Sequence, residues 1–287
     1  MPAPRIPIAC SGQRVDSIAI FTFVPTANLS DSQQNDAVRN VSRAVHDFSR
    51  AVHVTTRPAV VRRLLLLQRG DACTELRRTE SERLLRSEPF IAEAQVRAFA
   101  NDHGGVDLDV RTIDEASLVL GGRLEATAPP IEALELGSSN FAGSGMFAVA
   151  SFQAGEGYRD GFGARLLDAD LFGRQDLLAA EADRRPLGGA WDVEASHSFV
   201  TDLQRVAWVV RTGSSSDYVT FPTDSSIDRA VRLDRSYFDL GGIARLGRPG
   251  HLGLLGGSLS SDYERPSHTP VLVTDSGLAP DVDPTLY

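Results

Sequence analysis

Beyond Pro130 the chain is cut into runs of about ten residues in which apolar and polar side chains alternate, and a period of two leaves few folds open. In WDVEASHS, Trp191, Val193, Ala195 and His197 share one flank, while Asp192, Glu194, Ser196 and Ser198 share the other. RVAWVVRT repeats the pattern, with Val206, Trp208 and Val210 opposite Arg205 and Arg211. The breaks NFAGSG, QAGEGYRDG, FGRQD, RPLGGA, TGSSSD and LGRPG read as turns, so the region reads as successive antiparallel hairpins without helices. Two architectures use such strands. A soluble sandwich buries the apolar flank under a second sheet, whereas a membrane barrel turns it to hydrocarbon. Run length, consecutive hairpins and aromatics near run ends (Phe141, Phe152, Tyr158, Phe172, Trp208, Tyr218 and Tyr237) favour the barrel.

The first 117 residues have a different grammar. RVDSIAIFTFV, residues 14–24, is β-branched and aromatic and predicts a strand closed by Pro25. Val38, Val41, Val45, Phe48 and Val52 recur at spacings of three and four, which predicts an amphipathic helix over 32–52. TTRPAVVRRLLLLQRGD predicts a second helix, with Thr56 as cap, Pro58 in the first turn and Gly70 at the end. A third runs from about Thr74 to Ser87 with Leu76, Leu84 and Leu85 facing inward. After Pro89 the period changes: Phe90, Ile91, Val96 and Phe99 lie in a strand, His103-Gly104-Gly105 turns, and Val106, Leu108 and Val110 alternate with Asp107, Asp109 and Arg111. The natural packing is an α+β module with helices on one face of a small sheet.

Charge separates the same two regions. All basic residues are Arg; residues 1–127 carry 16 Arg and 16 acidic residues, so the net charge of −9 lies wholly in residues 128–287. That acidity argues against nucleic acid as a partner for the second region. VVRRLLLLQRG is interrupted by Arg62 and Arg63, and no run approaches the roughly 18–20 apolar residues of a spanning helix. MPAPRIPIACSGQ offers only about nine residues before polar sequence, too few for an export signal, which implies a protein kept inside or a signal encoded elsewhere. Cys10 and Cys73 fit no common metal spacing; they read either as two buried thiols or, in an oxidising compartment, as a disulfide.

Residues that carry chemistry are few. Ser144 lies in GSG without the full nucleophile-elbow pattern and reads as a hairpin turn. His46, His53, His103, His197, His251 and His268 have no metal-ligand spacing, and GEGYRDGFG has neither the register nor the following helix of a phosphate-binding loop. Asp168, Asp170, Glu181 and Asp183 read as loop or lumen charges. The cluster Arg57, Arg62, Arg63, Arg77, Arg78, Arg83 and Arg86 reads as a solvated helix face balanced by Glu75, Glu80 and Glu82. No catalytic residue, metal site or cofactor is predicted.

Residues 14–115 resemble a POTRA (polypeptide-transport-associated) module: RVDSIAIFTF as first strand, a helix running into LLLQRGD, RRTESERLLRSEPF as second helix, and the hairpin IAEAQVRAF with VDLDVRT. Such modules precede barrels of the bacterial surface-antigen superfamily, the BamA-like outer-membrane assembly factors. ELGSSNFAGSGMFAVAS resembles that family's first barrel hairpin, and FGRQDLLAAEADRRPLGGAWDVEASHSFVTDLQRVAW its next strands. The resemblance implies an unstructured segment 1–13, an α+β POTRA-like module over 14–117 with the helical insertion near 32–52, a linker over 118–130, and an all-β antiparallel, incomplete outer-membrane barrel over 131–287. The last 157 residues hold about eight or nine strands where the family has about sixteen, and the Arg-Gly-aromatic motif expected late in the barrel is absent, so the resemblance implies truncation. It further implies a non-enzymatic protein of the outer membrane, its module in the periplasm, that assists insertion or translocation of unfolded client polypeptides by β-augmentation, alone or with periplasmic accessory proteins. The edge assigned to clients is the strand Phe90–Phe99, through Ile91, Ala94, Val96 and Ala98. A passive pore with a vestigial module and a soluble periplasmic sandwich are the competing readings.

Overall fold

Bulky β-branched and aromatic residues dominate Ser11–Phe23, and in the computed structural model of the chain this stretch is a 13-residue strand. The structure describes residues 5–24, 54–115, 117–124, 131–155, 160–171, 175–185, 188–201, 203–221, 228–248, 251–267, 271–274 and 277–280. The helix expected over 32–52 lies outside the described residues. The chain divides into two compact units: unit 1 is Met1–Leu118 with Ser138–Phe147 and Ala169–Gln175, and unit 2 is Val119–Gly137, Ala148–Asp168 and Asp176–Tyr287.

Unit 1 is α+β. Its strands are β1 (Pro7–Ile8), β2 (Ser11–Phe23), β3 (Ala72–Thr74), β4 (Ile91–Ala100) and β5 (Val106–Asp114), and its helices are α1 (Pro58–Arg63) and α2 (Glu75–Ser87). The sheet order is β1-β4-β5-β2-β3, with β4 and β5 an antiparallel hairpin and β2 parallel to β5. In the hairpin turn Asn101 Oδ1 accepts from the amides of His103 (3.1 Å) and Gly105 (2.9 Å), and Gly104 takes a φ of 77°. Thr74 caps α2 by accepting from the Arg77 amide at 3.4 Å, and Pro89 follows its end at Glu88.

Alternation buries Val106, Leu108 and Val110 of β5, and the helices add Val61, Leu64 and Leu85. Leu76, expected to face inward, is exposed. Ser81 is buried, donating to the Arg77 carbonyl (2.7 Å) and accepting from the Leu66 amide (2.9 Å), so its hydroxyl is satisfied without water. A disulfide joins Cys10 to Cys73 beside Val15 and Leu67. The segment 1–13, expected to be unstructured, contains β1 and the start of β2: Pro7 and Ile8 pair with Phe99 and Ala98, and the Arg5 guanidinium sits 4.9 Å over the Phe99 ring while bonding Asp107 at 2.9 Å. A two-residue strand has no period to read, which is why the sequence concealed it.

Among its described residues unit 2 has strands and no helix. With β6 (Leu118–Leu124), which begins at the unit boundary, it holds β7 (Ile131–Phe141) and β8 (Met146–Gln153) except their hairpin Ser138–Phe147, which belongs to unit 1, and β9 (Gly161–Asp168), β10 (Leu177–Arg184), β11 (Gly189–His197), β12 (Val206–Phe221), β13 (Asp228–Arg248), β14 (His251–Pro266), β15 (Val271–Thr274) and β16 (Gly277–Pro280). They form one 11-stranded sheet in the order β16-β15-β13-β12-β11-β10-β9-β8-β7-β6, with β14 also on β13. Among the described residues the sheet is open, since no pairing joins β6 to its far end.

Three expectations change. Leu118–Leu124 is strand rather than linker. Among the described residues the strands number 11 rather than eight or nine, because β6 joins them and β15 and β16 have only 4 residues each. TGSSSD is no turn but the interior of β12, whose 16 residues far exceed ten. The reason lies across the sheet: a Cβ on Gly213 would meet Tyr237 Oη at 2.6 Å and the Trp191 carbonyl at 2.7 Å, so the glycine serves close approach rather than chain reversal.

Candidate functional site

The register of unit 2 sorts its side chains onto two faces. Direct antiparallel partners share a face. On one lie Ala164 and Leu166 of β9, Ala180 and Ala182 of β10, Trp191 and Val193 of β11, Val210 of β12, Leu240 of β13 and Leu259 of β14. On this face Trp191 is 46% exposed, Leu240 44% and Leu259 64%, and Phe162, Phe238 and Leu255 are exposed as well. Among the described residues of unit 2 no second sheet and no helix covers this face.

The opposite face carries most of the ion pairs, while Arg232 and Asp234 pair at 2.8 Å toward one end of the apolar face. Arg211 bonds Asp192 at 2.9 Å, Tyr237 hydroxyl donates to the same carboxylate, Arg165 pairs with Glu181 at 3.6 Å, and Arg235 pairs with Asp262 and, at 3.7 Å, with Glu264. Tyr237, placed by sequence among the strand-end aromatics, thus belongs to the charged face, and its neighbour Phe238 to the apolar one. A sheet that pairs ions along one flank and bares leucine, phenylalanine and tryptophan along the other is amphipathic across its thickness.

The strand assigned to clients is β4. Ile91, Ala94, Val96 and Ala98 are all buried, so their side chains belong to the core and only main-chain groups are available at the edge. Ala98 already pairs with Ile8 of β1. Ala94 and Val96 lie beyond the end of β1, and α2 reaches them: Arg86 Nε donates to the Ala94 carbonyl (3.0 Å), Arg78 Nη1 donates to the Val96 carbonyl (2.7 Å), and the Val96 amide donates to Glu82 Oε2 (3.0 Å). Two members of the arginine cluster, expected to be merely solvated, therefore touch the edge. The others do not: Arg83 lies with Glu80 (2.9 Å), Arg77 with Asp71 (3.6 Å), Arg63 with Asp170 (3.1 Å), and Arg62 reaches the Ile18 carbonyl (3.4 Å). The Arg78 guanidinium holds the Glu75 carboxyl below its ordinary range, and Glu75 in turn raises Arg78.

Two features of unit 1 escaped the sequence reading. Asn140, within the β7–β8 hairpin, donates to Thr56 Oγ1 (2.7 Å) and accepts from the Gly145 amide (2.8 Å), while the Thr56 amide donates to Asp114 (2.7 Å). Nothing in GSSNFAGSG distinguishes this buried asparagine from an ordinary turn residue. Glu88, just past α2, has its carboxyl pushed up to about 7, first by burial and then by the negative charge of Asp170.

Of the remaining candidates, His46, His53 and His268 lie outside the described residues. Ser144 donates to the Phe141 carbonyl (2.6 Å) inside the hairpin turn. His197 Nδ1 lies 2.7 Å from Asp176. Asp183 pairs with Arg185 at 2.8 Å. Among the described residues no three acidic, histidine or cysteine side chains are grouped to hold a metal, and no helix is long and apolar enough to cross a membrane.

No protein-family model matches the chain, and no curated protein does. Solved structures similar to the chain include the following two. BamA from Haemophilus ducreyi lacking POTRA domains 1–3 is 9% identical with a TM-score of 0.32, over 90% of this chain and 43% of that one. CdiB from Acinetobacter baumannii is 11% identical with a TM-score of 0.36, over 91% of this chain and 48% of that one. The chain thus spans less than half the length of either.

Proposed function

We propose that the chain is an outer-membrane β-barrel wall with a periplasmic module of the POTRA kind, and that it assists insertion or translocation of outer-membrane proteins by β-augmentation. The observation that carries this reading is the bare apolar face of the unit 2 sheet, from Ala164 through Trp191 and Leu240 to Leu259. Water penalises such a face in proportion to its area, whereas hydrocarbon does not, and the hydrogen-bonded ladder satisfies the peptide groups between paired strands. The ion-paired face is what a lumen tolerates. In unit 1, the chain order β2, α1, α2, β4, β5, with β5 lying between β2 and β4, agrees with the order the resemblance implies.

Client capture falls to β4. An extended polypeptide laid along Ile91–Arg97 would continue the line of β1 and add its main-chain hydrogen bonds to the sheet, with little demand on its side chains. Its partners are then the bilayer, unfolded clients and, through the same module, periplasmic accessory proteins.

Fractionation tests the first part: the full chain is expected to stay with membranes through salt washes and to leave only with detergent, and release by buffer alone overturns the barrel reading. A client-like peptide is expected to shift the backbone amides of residues 91–97 in the detergent-solubilised chain. Shifts confined elsewhere overturn the assignment to β4.

A further inference from the structure

The client edge is plugged by its own module. We infer that Arg78, Glu82 and Arg86 of α2 stand in for a missing neighbour strand along β4, and that an extended polypeptide must displace these side chains to pair. The inference rests on the assignment of β4 as the client edge and adds how that edge is held shut.

Geometry carries it. Along an antiparallel strand every second residue turns both its N–H and its C=O away from the hairpin partner. In β4 those residues include Ala94, Val96 and Ala98, and the last is served by β1. Side chains of α2 serve the other two, with two donors on carbonyls and one acceptor on an amide, as a neighbouring backbone would provide. The match follows from pitch. Residues 78, 82 and 86 recur every four positions, about 6 Å along a helix, while residues 94 and 96 are about 6.7 Å apart along a strand. The plug also holds itself together, because Glu82 lies between the two cations, 3.5 Å from Arg78 and 2.6 Å from Arg86.

Three ionic side chains differ from a real strand in what their release costs. Each hydrogen bond they make to β4 is replaced one for one by a client N–H or C=O, and the freed ions return to water, where they are well solvated. Arg86 is the weak member: its side chain is 55% exposed, against 20% for Arg78 and 19% for Glu82. Beside it runs a groove of about 620 Å³ bordered by Phe23, Arg86, Glu93, Gln95, Arg111 and Ile113. A strand seated on the edge would send alternate side chains over this groove, where Phe23 and Ile113 offer apolar contact. The occupant is therefore an extended segment with apolar residues at every second position and an N–H wherever it faces the Ala94 and Val96 carbonyls. Proline at either place removes a required donor.

The test is a binding titration on the full chain in detergent, using a capped, uncharged peptide of about ten alternating valine and threonine residues, roughly two strand lengths of a short sheet. Arg86→Ala, which opens the edge at its most exposed member, is expected to bind about tenfold more tightly than the parent, about 1.4 kcal/mol. Arg86→Lys retains a cation and is expected to stay within about threefold of the parent. The parent itself supplies a measurement that needs no variant: higher salt weakens the Arg86–Glu82 pair and is expected to tighten binding of the uncharged peptide. Binding to the parent that neither Arg86→Ala nor salt strengthens overturns the plug and leaves the client edge standing. No binding to the parent or to Arg86→Ala, or equal binding of a peptide with central prolines, overturns the client edge itself and the plug with it.

Discussion

The two sheets of this chain obey the same alternation and dispose of it in opposite ways. In unit 1 the inward flank of β5, Val106, Leu108 and Val110, is wholly buried under side chains the module supplies itself. In unit 2 the corresponding flank, with Trp191, Leu240 and Leu259, remains bare while the other flank is filled with ion pairs. One sheet covers its apolar flank with its own helices, and the other leaves that flank uncovered by any described element of its unit. A period of two therefore specifies which residues share a side but says nothing of what that side will touch.

Substitutions should separate the units by the medium in which they matter. The largest effect is expected in the closed core: Leu85→Ala, at a fully buried site on α2, should destabilise unit 1 by about 2–5 kcal/mol whether or not lipid is present, measured by denaturant unfolding of the detergent-solubilised chain with and without vesicles. Next comes the bare face. Leu240→Arg should cost about 2–4 kcal/mol for folding into bilayers, whereas Ser258→Arg, one strand across but on the charged face, should cost less than about 1 kcal/mol. Equal costs for the two would erase the distinction between faces.

The smallest effect sharpens the account of unit 1 through pH. Glu88 is raised from 4.5 to about 7 in the folded chain, so between those values the folded state keeps a proton that the unfolded state has released. Stability from this group is thus present at low pH and falls as pH rises through the window. Glu88→Gln should leave the melting temperature nearly unchanged below about pH 4, under the unfolded value, and raise it near pH 8. A rise of the same size at both would mean that the carboxyl does not titrate in that window.

Much of this was legible in the residues, and what was hidden had physical reasons. The hairpin of β4 and β5, the helix starting near Thr74 and the two flanks of β11 follow from local periodicity, which acts between near neighbours. The helix expected from Thr56 to Gly70 is instead only α1 (Pro58–Arg63), whose N-cap is Arg57 without a side-chain cap bond, because Thr56 is bonded to Asn140 and Asp114. Three further features lie beyond local pattern. Gly213 looks like a turn until Tyr237 lies against it, because a close approach is set by a strand 24 positions later. Ser81 shares the buried face of α2 with Leu84 and Leu85, three and four positions on, and Leu76 lies off it; that a serine serves there depends on the Leu66 amide it accepts from, a partner met only once loop and helix pack. Along β4, arginine spacing on α2 reads as helix-surface pairing, and it is; that the same side chains also reach Ala94 and Val96 depends on the distance between helix and sheet, which no pattern in either segment encodes.

The bond between Cys10 and Cys73 has a topological consequence. It closes a ring of backbone around everything from the first long strand to the threshold of α2, including residues 25–53. A cut anywhere inside that ring converts it into an open hoop whose two arms remain one covalent molecule, so the strand that flanks β5 cannot drift from the helix that guards β4 until a reductant severs the last link.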